Sequence, residues 1–130
     1  LGRSRCRSGD TGMGLKDAMT AWQSAAKAFG TDAALTGGAK HAVADCLLAA
    51  GRPEEARKWL AAINRKAVGE LVGNAEWGLH VELLLAEIEA RTGRPEQARQ
   101  HLEAARPIFP SMQTDAYEAR RIERVEKLLA

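Results

Sequence analysis

The stretch GRPEEARKWL, Gly51 to Leu60, decides the fold, and GRPEQARQHL, Gly93 to Leu102, repeats it. The two glycines stand 42 residues apart, and 42 residues upstream of Gly51 lies Gly9, which opens GDTGMGLKDA. Self-similarity at a fixed period of roughly 20–50 residues marks an array of supersecondary units. Each residue type in the stretch has a place. Gly51 follows the apolar run Val43 to Ala50, where a helix needs a left-handed residue in order to stop. Pro53 suits the first turn of the next helix, where its missing N–H is no loss. Glu54 and Glu55 then meet the positive end of the helix dipole. Ala56, Trp59, Leu60 and Ile63 follow at spacings of three and four, which is one helical face. The motif is the elbow of a helical hairpin. In its second copy Ala98, His101, Leu102 and Ala105 hold the same face.

Working outward, the pattern predicts a helix over about Gly12 to Phe29, with Leu15, Ala18, Met19, Trp22, Ala25, Ala26 and Phe29 on one apolar face. Another runs from about Asp32 to Ala50, capped by Thr31 or Asp32. Gly37 and Gly38 weaken its middle by about 1 kcal/mol each relative to alanine, which close packing against a neighbouring helix would explain. The next helix runs from Pro53 to Asn64, and Lys66 to Gly73 extends it if Gly69 is tolerated. Asn74, 42 residues after Asp32, is expected to cap the helix Ala75 to Arg91. That helix carries two apolar stripes, Trp77, Val81, Leu84, Leu85 and Ile88, and Leu79, Leu83, Ala86 and Ala90, so it should be gripped from two sides. Pro95 to Arg106 forms the following helix, stopped by Pro107 and Pro110. A last helix, residues 114–129, puts Ile122, Val125 and Leu129 inward and Glu118, Arg120, Glu123, Arg124 and Lys127 outward, as a capping helix would. No stretch alternates with period two, so no strand is placed. Leu1 to Ser8 corresponds to the tail of a first helix whose front half is missing.

The 130 residues suit one domain, 1–130. Nineteen basic against 17 acidic residues leave a net charge of +2, too even for a nucleic-acid binder. No apolar run reaches the roughly 18 residues of a membrane span, and no signal peptide is visible. Cys6 and Cys46 fit no metal-ligand spacing and read as free thiols in a reducing, cytoplasmic setting; a bridge between them, at near-equivalent places on adjacent inner helices, is the lesser alternative. The chain opens on Leu1 without a methionine, as a piece of a longer protein would.

These features resemble the tetratricopeptide repeat. Leu1-Gly2 fits the leucine-glycine pair of its first helix, with Val43-Ala44 and Leu85-Ala86 in that place later. Gly9, Gly51 and Gly93 fit its elbow, Ala56 and Ala98 its second-helix alanine, Leu60 and Leu102 its large apolar place, and Pro110 its proline. The 42-residue unit is similar to the longer variant of kinesin light chains and of many bacterial regulatory proteins, with Phe29-Gly30-Thr31-Asp32 as the turn between units. Lys40 and Glu82 stand where the family's first-helix aromatic would be, and the residues of its carboxylate clamp are not present. The resemblance implies an all-α, right-handed superhelical solenoid of about three helix pairs. It also implies a scaffold that binds a protein or peptide without chemistry.

No Ser/His/Asp set, phosphate-cradling loop or zinc spacing occurs, so neither catalysis nor a cofactor or metal is expected. In paired-helix stacks the first helix of each pair lines the concave side. That face would carry Arg3 and Arg7, then His41, Asp45 and Leu48, then His80, Leu83, Glu87 and Arg91. Its mixed charge suits a polar or mixed-charge peptide. Arg57, Lys58, Arg99 and Gln100 would point outward from the second helices. The alternative is a regulatory or self-associating segment of a larger bacterial signalling enzyme, such as a kinase, or of a transcription regulator.

Overall fold

The structure is a computed structural model that describes residues 6, 9–111 and 116–130. Arg3, Arg7, the pair Leu1-Gly2 and Thr114 lie outside the described residues. Among the described residues every regular element is helical: α1 (Thr11–Phe29), α2 (Ala34–Ala49), α3 (Pro53–Ala61), α4 (Arg65–Val72), α5 (Asn74–Arg91), α6 (Pro95–Ala105), a 3-10 turn (Arg106–Ser111) and α7 (Ala116–Leu129). They form two compact units, Leu1–Val72 and Gly73–Ala130.

The two elbows are built alike. Gly51 and Gly93 adopt φ of 78° and 75°, the left-handed region that glycine enters without steric cost. In both, the next N–H turns back to the preceding helix: Arg52 donates to the Leu47 carbonyl at 2.8 Å and Arg94 to the Glu89 carbonyl at 2.9 Å. This is the closing bond of a Schellman motif. Pro53 and Pro95 open the helices that follow. Ala56 and Ala98 are fully buried where the paired helices meet. Arg57 pairs with Glu54, and Arg99 with Glu96, one turn along the exposed side of each second helix.

In the first unit α2 packs against α1, α3 and α4. Its buried residues run around the whole helix, from Thr36 and Gly37 through Val43, Ala44 and Leu47 to Leu48. Ala18, Ala56, Leu60, Ile63 and Val68 complete this core. A β-carbon on Gly37 would collide with Val68 Cγ2, whereas one on Gly38 would meet open space. So Gly37 answers to the approach of α4, and Gly38 does not.

Several sequence expectations are corrected here. Cys6 and Cys46 form a disulfide, with Cα atoms 5.3 Å apart, inside the usual bridging range of roughly 4.4–6.8 Å. The premise of free thiols, and with it the argument for a reducing compartment, is therefore removed. Asp32 does not cap α2: Ala33 holds that place, with no side-chain cap. Asn74 is the first residue of α5, and Gly73, at φ 99°, stands at the cap. Asn64 does not continue α3; its Oδ1 accepts the Ala67 N–H at 3.2 Å and so caps the separate helix α4. Phe29 is 58% exposed, off the packed face of α1.

In the second unit α5 packs against α6 and α7. Leu79, Leu83, Ala86, Leu102, Ala105 and Val125 form one cluster, with Ala90, Ile108, Ile122 and Leu129 against it. Both stripes of α5 are buried at Val81, Leu84 and Ile88 as well as at Leu79 and Leu83. The expected outward face of α7 is partly wrong: Glu118 is buried, and so is Arg121 beside it.

Candidate functional site

The expected binding residues separate by burial. His41, Asp45 and Leu48 on α2 are buried within the first unit, and Leu83 and Glu87 on α5 within the second. Their side chains form the inside of the molecule, not the lining of an open groove. The reason is that α2 and α5 are packed on more than one side, so a face that looks polar by sequence is covered. His80 and Arg91 keep partial exposure.

What the structure assembles around Glu87 is a charge cluster. Arg121 Nε donates to Glu87 Oε1 at 2.7 Å and Arg124 Nη2 to the same oxygen at 3.0 Å. Arg91 Nε donates to Glu87 Oε2 at 2.9 Å from one turn along α5. Glu118 lies 3.8 Å from Arg121 Nη1, and His80 Nδ1 lies 3.7 Å from Glu118 Oε1. Burial pushes the Glu87 carboxyl up, but the hydrogen bonds and charges of Arg124 and Arg121 outweigh it and hold the group below its ordinary value. A carboxylate only 1% exposed persists because its charge is answered on each side. Sequence reasoning missed Arg121. The available signal was a charged pair, Glu118 and Arg121, on the apolar stripe of α7, which demands a charge on the helix it faces.

Beside the cluster the arginines continue outward. Arg91, Arg124, Lys127 and Leu128 line a surface pocket of about 400 Å³. Leu128 is 52% exposed. No acidic side chain lines this pocket among the described residues.

A second pocket, of about 420 Å³, belongs to the first unit and is lined by Trp22, Thr31, Lys40, Lys58, Trp59 and Ala62. The two indole rings meet edge to face, with centroids 4.9 Å apart and planes at 88°. Lys40, only 5% exposed, donates from Nζ to the Thr31 carbonyl at 2.7 Å and to the Ala62 carbonyl at 2.8 Å. It thereby ties the end of α3 to the turn before α2. Position 40 held no expectation beyond a departure from the aromatic of the resembled family.

Among the described residues no three His, Cys, Asp or Glu side chains are grouped so as to hold a metal ion, and no helix is long and apolar enough to cross a membrane. No protein-family model matches the chain, and neither a curated protein nor a solved structure does.

Proposed function

We propose that the chain is a binding module of the tetratricopeptide-repeat kind, a solenoid of 42-residue helix pairs that holds a peptide segment of a partner protein and carries out no covalent chemistry. The two elbows, matching in dihedral angles, hydrogen bonds and buried alanine, support the repeat reading. The observation that carries the binding reading is the pocket of Arg91, Arg124, Lys127 and Leu128. It sets cationic side chains around an exposed leucine. The chemistry it suits is an acidic peptide with an apolar anchor: carboxylates meet the guanidiniums, and the anchor covers Leu128. This narrows the expectation of a mixed-charge peptide to an acidic one. It moves the site from the buried faces of α2 and α5 to the exposed end of α5 and to α7.

The test is an anisotropy titration of a labelled acidic peptide carrying leucines, run on the intact chain. Reversing Arg91 and Lys127 to glutamate should abolish binding, and reversing Arg57 and Arg99 should leave most of it. Equal losses in the two double variants, or preference for a basic peptide of the same length, would overturn the proposal.

A second reading, self-association within a larger regulatory protein, draws on the exposed apolar side chains Phe29, Leu35 and Leu71. A concentration series in sedimentation velocity distinguishes it, since a partner-binding module stays monomeric and a self-associating one does not.

A further inference from the structure

We propose that the tryptophan pocket of the first unit is a binding site for an aromatic carboxylate. The site is separate from the cationic pocket of Arg91 and Lys127, and the inference stands or falls without the peptide-binding reading.

Its walls are two indole rings and the Ala62 side. Apolar and aromatic walls with a few placed polar groups are the usual form of a small-ligand site, and about 420 Å³ lies within the ordinary size range. The edge-to-face arrangement leaves a corner between two rings at 88°, into which a third ring can pack edge-on or offset. The polar side chains that line it, apart from the Thr31 hydroxyl, are donors or cations. Lys40 spends two of its three protons on the Thr31 and Ala62 carbonyls, both of residues that line the same pocket. Those acceptors are neutral, so the buried ammonium has no carboxylate partner among the described residues. Lys58 adds a second positive charge at the exposed edge. A cationic ligand is opposed by both lysines. A sugar would find no acidic or amide side chain in this wall, among the described residues, to bind its hydroxyls. An aromatic ring that carries a carboxylate answers the rings and the ammonium together.

The repeat itself provides a contrast. The residues 42 places after Lys40 and Trp59 are Glu82 and His101, and these close on each other, with Glu82 Oε2 2.6 Å from His101 Nδ1. The equivalent place in the second unit is thus occupied by an internal pair. In the first unit the same two positions line a pocket.

Such a ligand has two sources, a free aromatic acid or the final residue of a peptide. Calorimetric titration of the intact, disulfide-bonded chain with N-acetyl-phenylalanine, its neutral amide, phenylacetate and a tripeptide ending in phenylalanine separates them. The acid should bind about tenfold or more tighter than the amide, the worth of one charge-assisted hydrogen bond. Trp59→Ala should remove binding, and Lys58→Met should weaken it several-fold with the melting temperature unchanged. Lys40→Met tests the buried ammonium directly; where it unfolds the chain, the Lys58 and Trp59 variants decide. Phenylacetate binding as tightly as the tripeptide supports a free acid, and a much tighter tripeptide supports a peptide C-terminus. Equal affinity for acid and amide, or no binding by any of the four, would overturn the proposal.

Discussion

The two hairpins share a backbone and differ in what holds them. In the first unit the residue after Asp45 is Cys46, tied to Cys6; in the second unit the residue after Glu87 is Ile88, a fully buried core residue. Asp45 and Glu87, equivalent by the 42-residue period, are both buried. Glu87 gathers three arginines, two of them from α7. The first unit closes on a short helix, α4, which α2 meets through Gly37. The second closes on α7, a helix of 14 residues that brings charge into the interior. The elbow sequence thus specifies how the chain turns. The residues between elbows decide whether a unit is fastened by a covalent bond, by an ion cluster or by close backbone approach.

This contrast can be broken at its strongest point first. Glu87→Ala should destabilise the chain by about 3–5 kcal/mol, because it takes from the buried Arg121 guanidinium its closest counter-charge and leaves only Glu118, 3.8 Å away. Urea denaturation measures it, with Trp77 as the reporter of the second unit in a background where Trp22 and Trp59 are phenylalanine. A loss below about 1 kcal/mol would mean that the cluster is a surface feature, since exposed ion pairs contribute no more than that.

Reduction of the disulfide should cost about 2–4 kcal/mol by releasing a long loop in the unfolded chain. It closes a sequence separation of 40 residues within the first unit. Melting curves with and without reductant check this. Hydrogen exchange should show the loss of protection in α2 and not in α5.

Gly37→Ala should cost about 1–3 kcal/mol, because the added methyl group strikes Val68 across the α2–α4 contact. Gly38→Ala, into open space, should stabilise by about 0.5–1 kcal/mol, the ordinary gain of alanine over glycine inside a helix. If the two variants behave alike in chemical denaturation, α4 does not approach α2 as closely as Val68 and Gly37 require.

The smallest effect is with pH. The Glu87 carboxyl is held below its ordinary value of 4.5, so its contribution to stability is complete above that value. It is lost progressively as pH falls through the lower folded-state value. Trp77 fluorescence in an acid titration should report the loss, and Glu87→Gln should flatten that part of the profile. A profile unchanged by Glu87→Gln would show that other carboxylates govern acid unfolding.

Much of this was legible before any coordinates. The period, the elbows, the proline starts and the two buried stripes of α5 follow from residue types that have few places to go. The candidate sites were less legible. His41, Asp45 and Glu87 read as a polar binding face because polarity on a helix normally marks solvent, yet their helices are covered there. Lys40 and Arg121 were passed over for the converse reason. A long cation on or beside an apolar stripe gives no sign of whether it finds carbonyls, as Lys40 does, or a carboxylate, as Arg121 does.

By itself the sequence determined that this protein is helical, where its hairpins turn and which faces carry apolar weight. Those properties depend on φ/ψ preferences and on spacings of three and four residues, which are local. Only the tertiary structure decided that Cys6 meets Cys46, that Gly37 faces Val68, that Glu87 draws arginines from α7 and that Trp22 and Trp59 enclose a pocket. Each of these joins residues separated by between 31 and 40 positions. Such contacts depend on how helices pack, and no local preference encodes that.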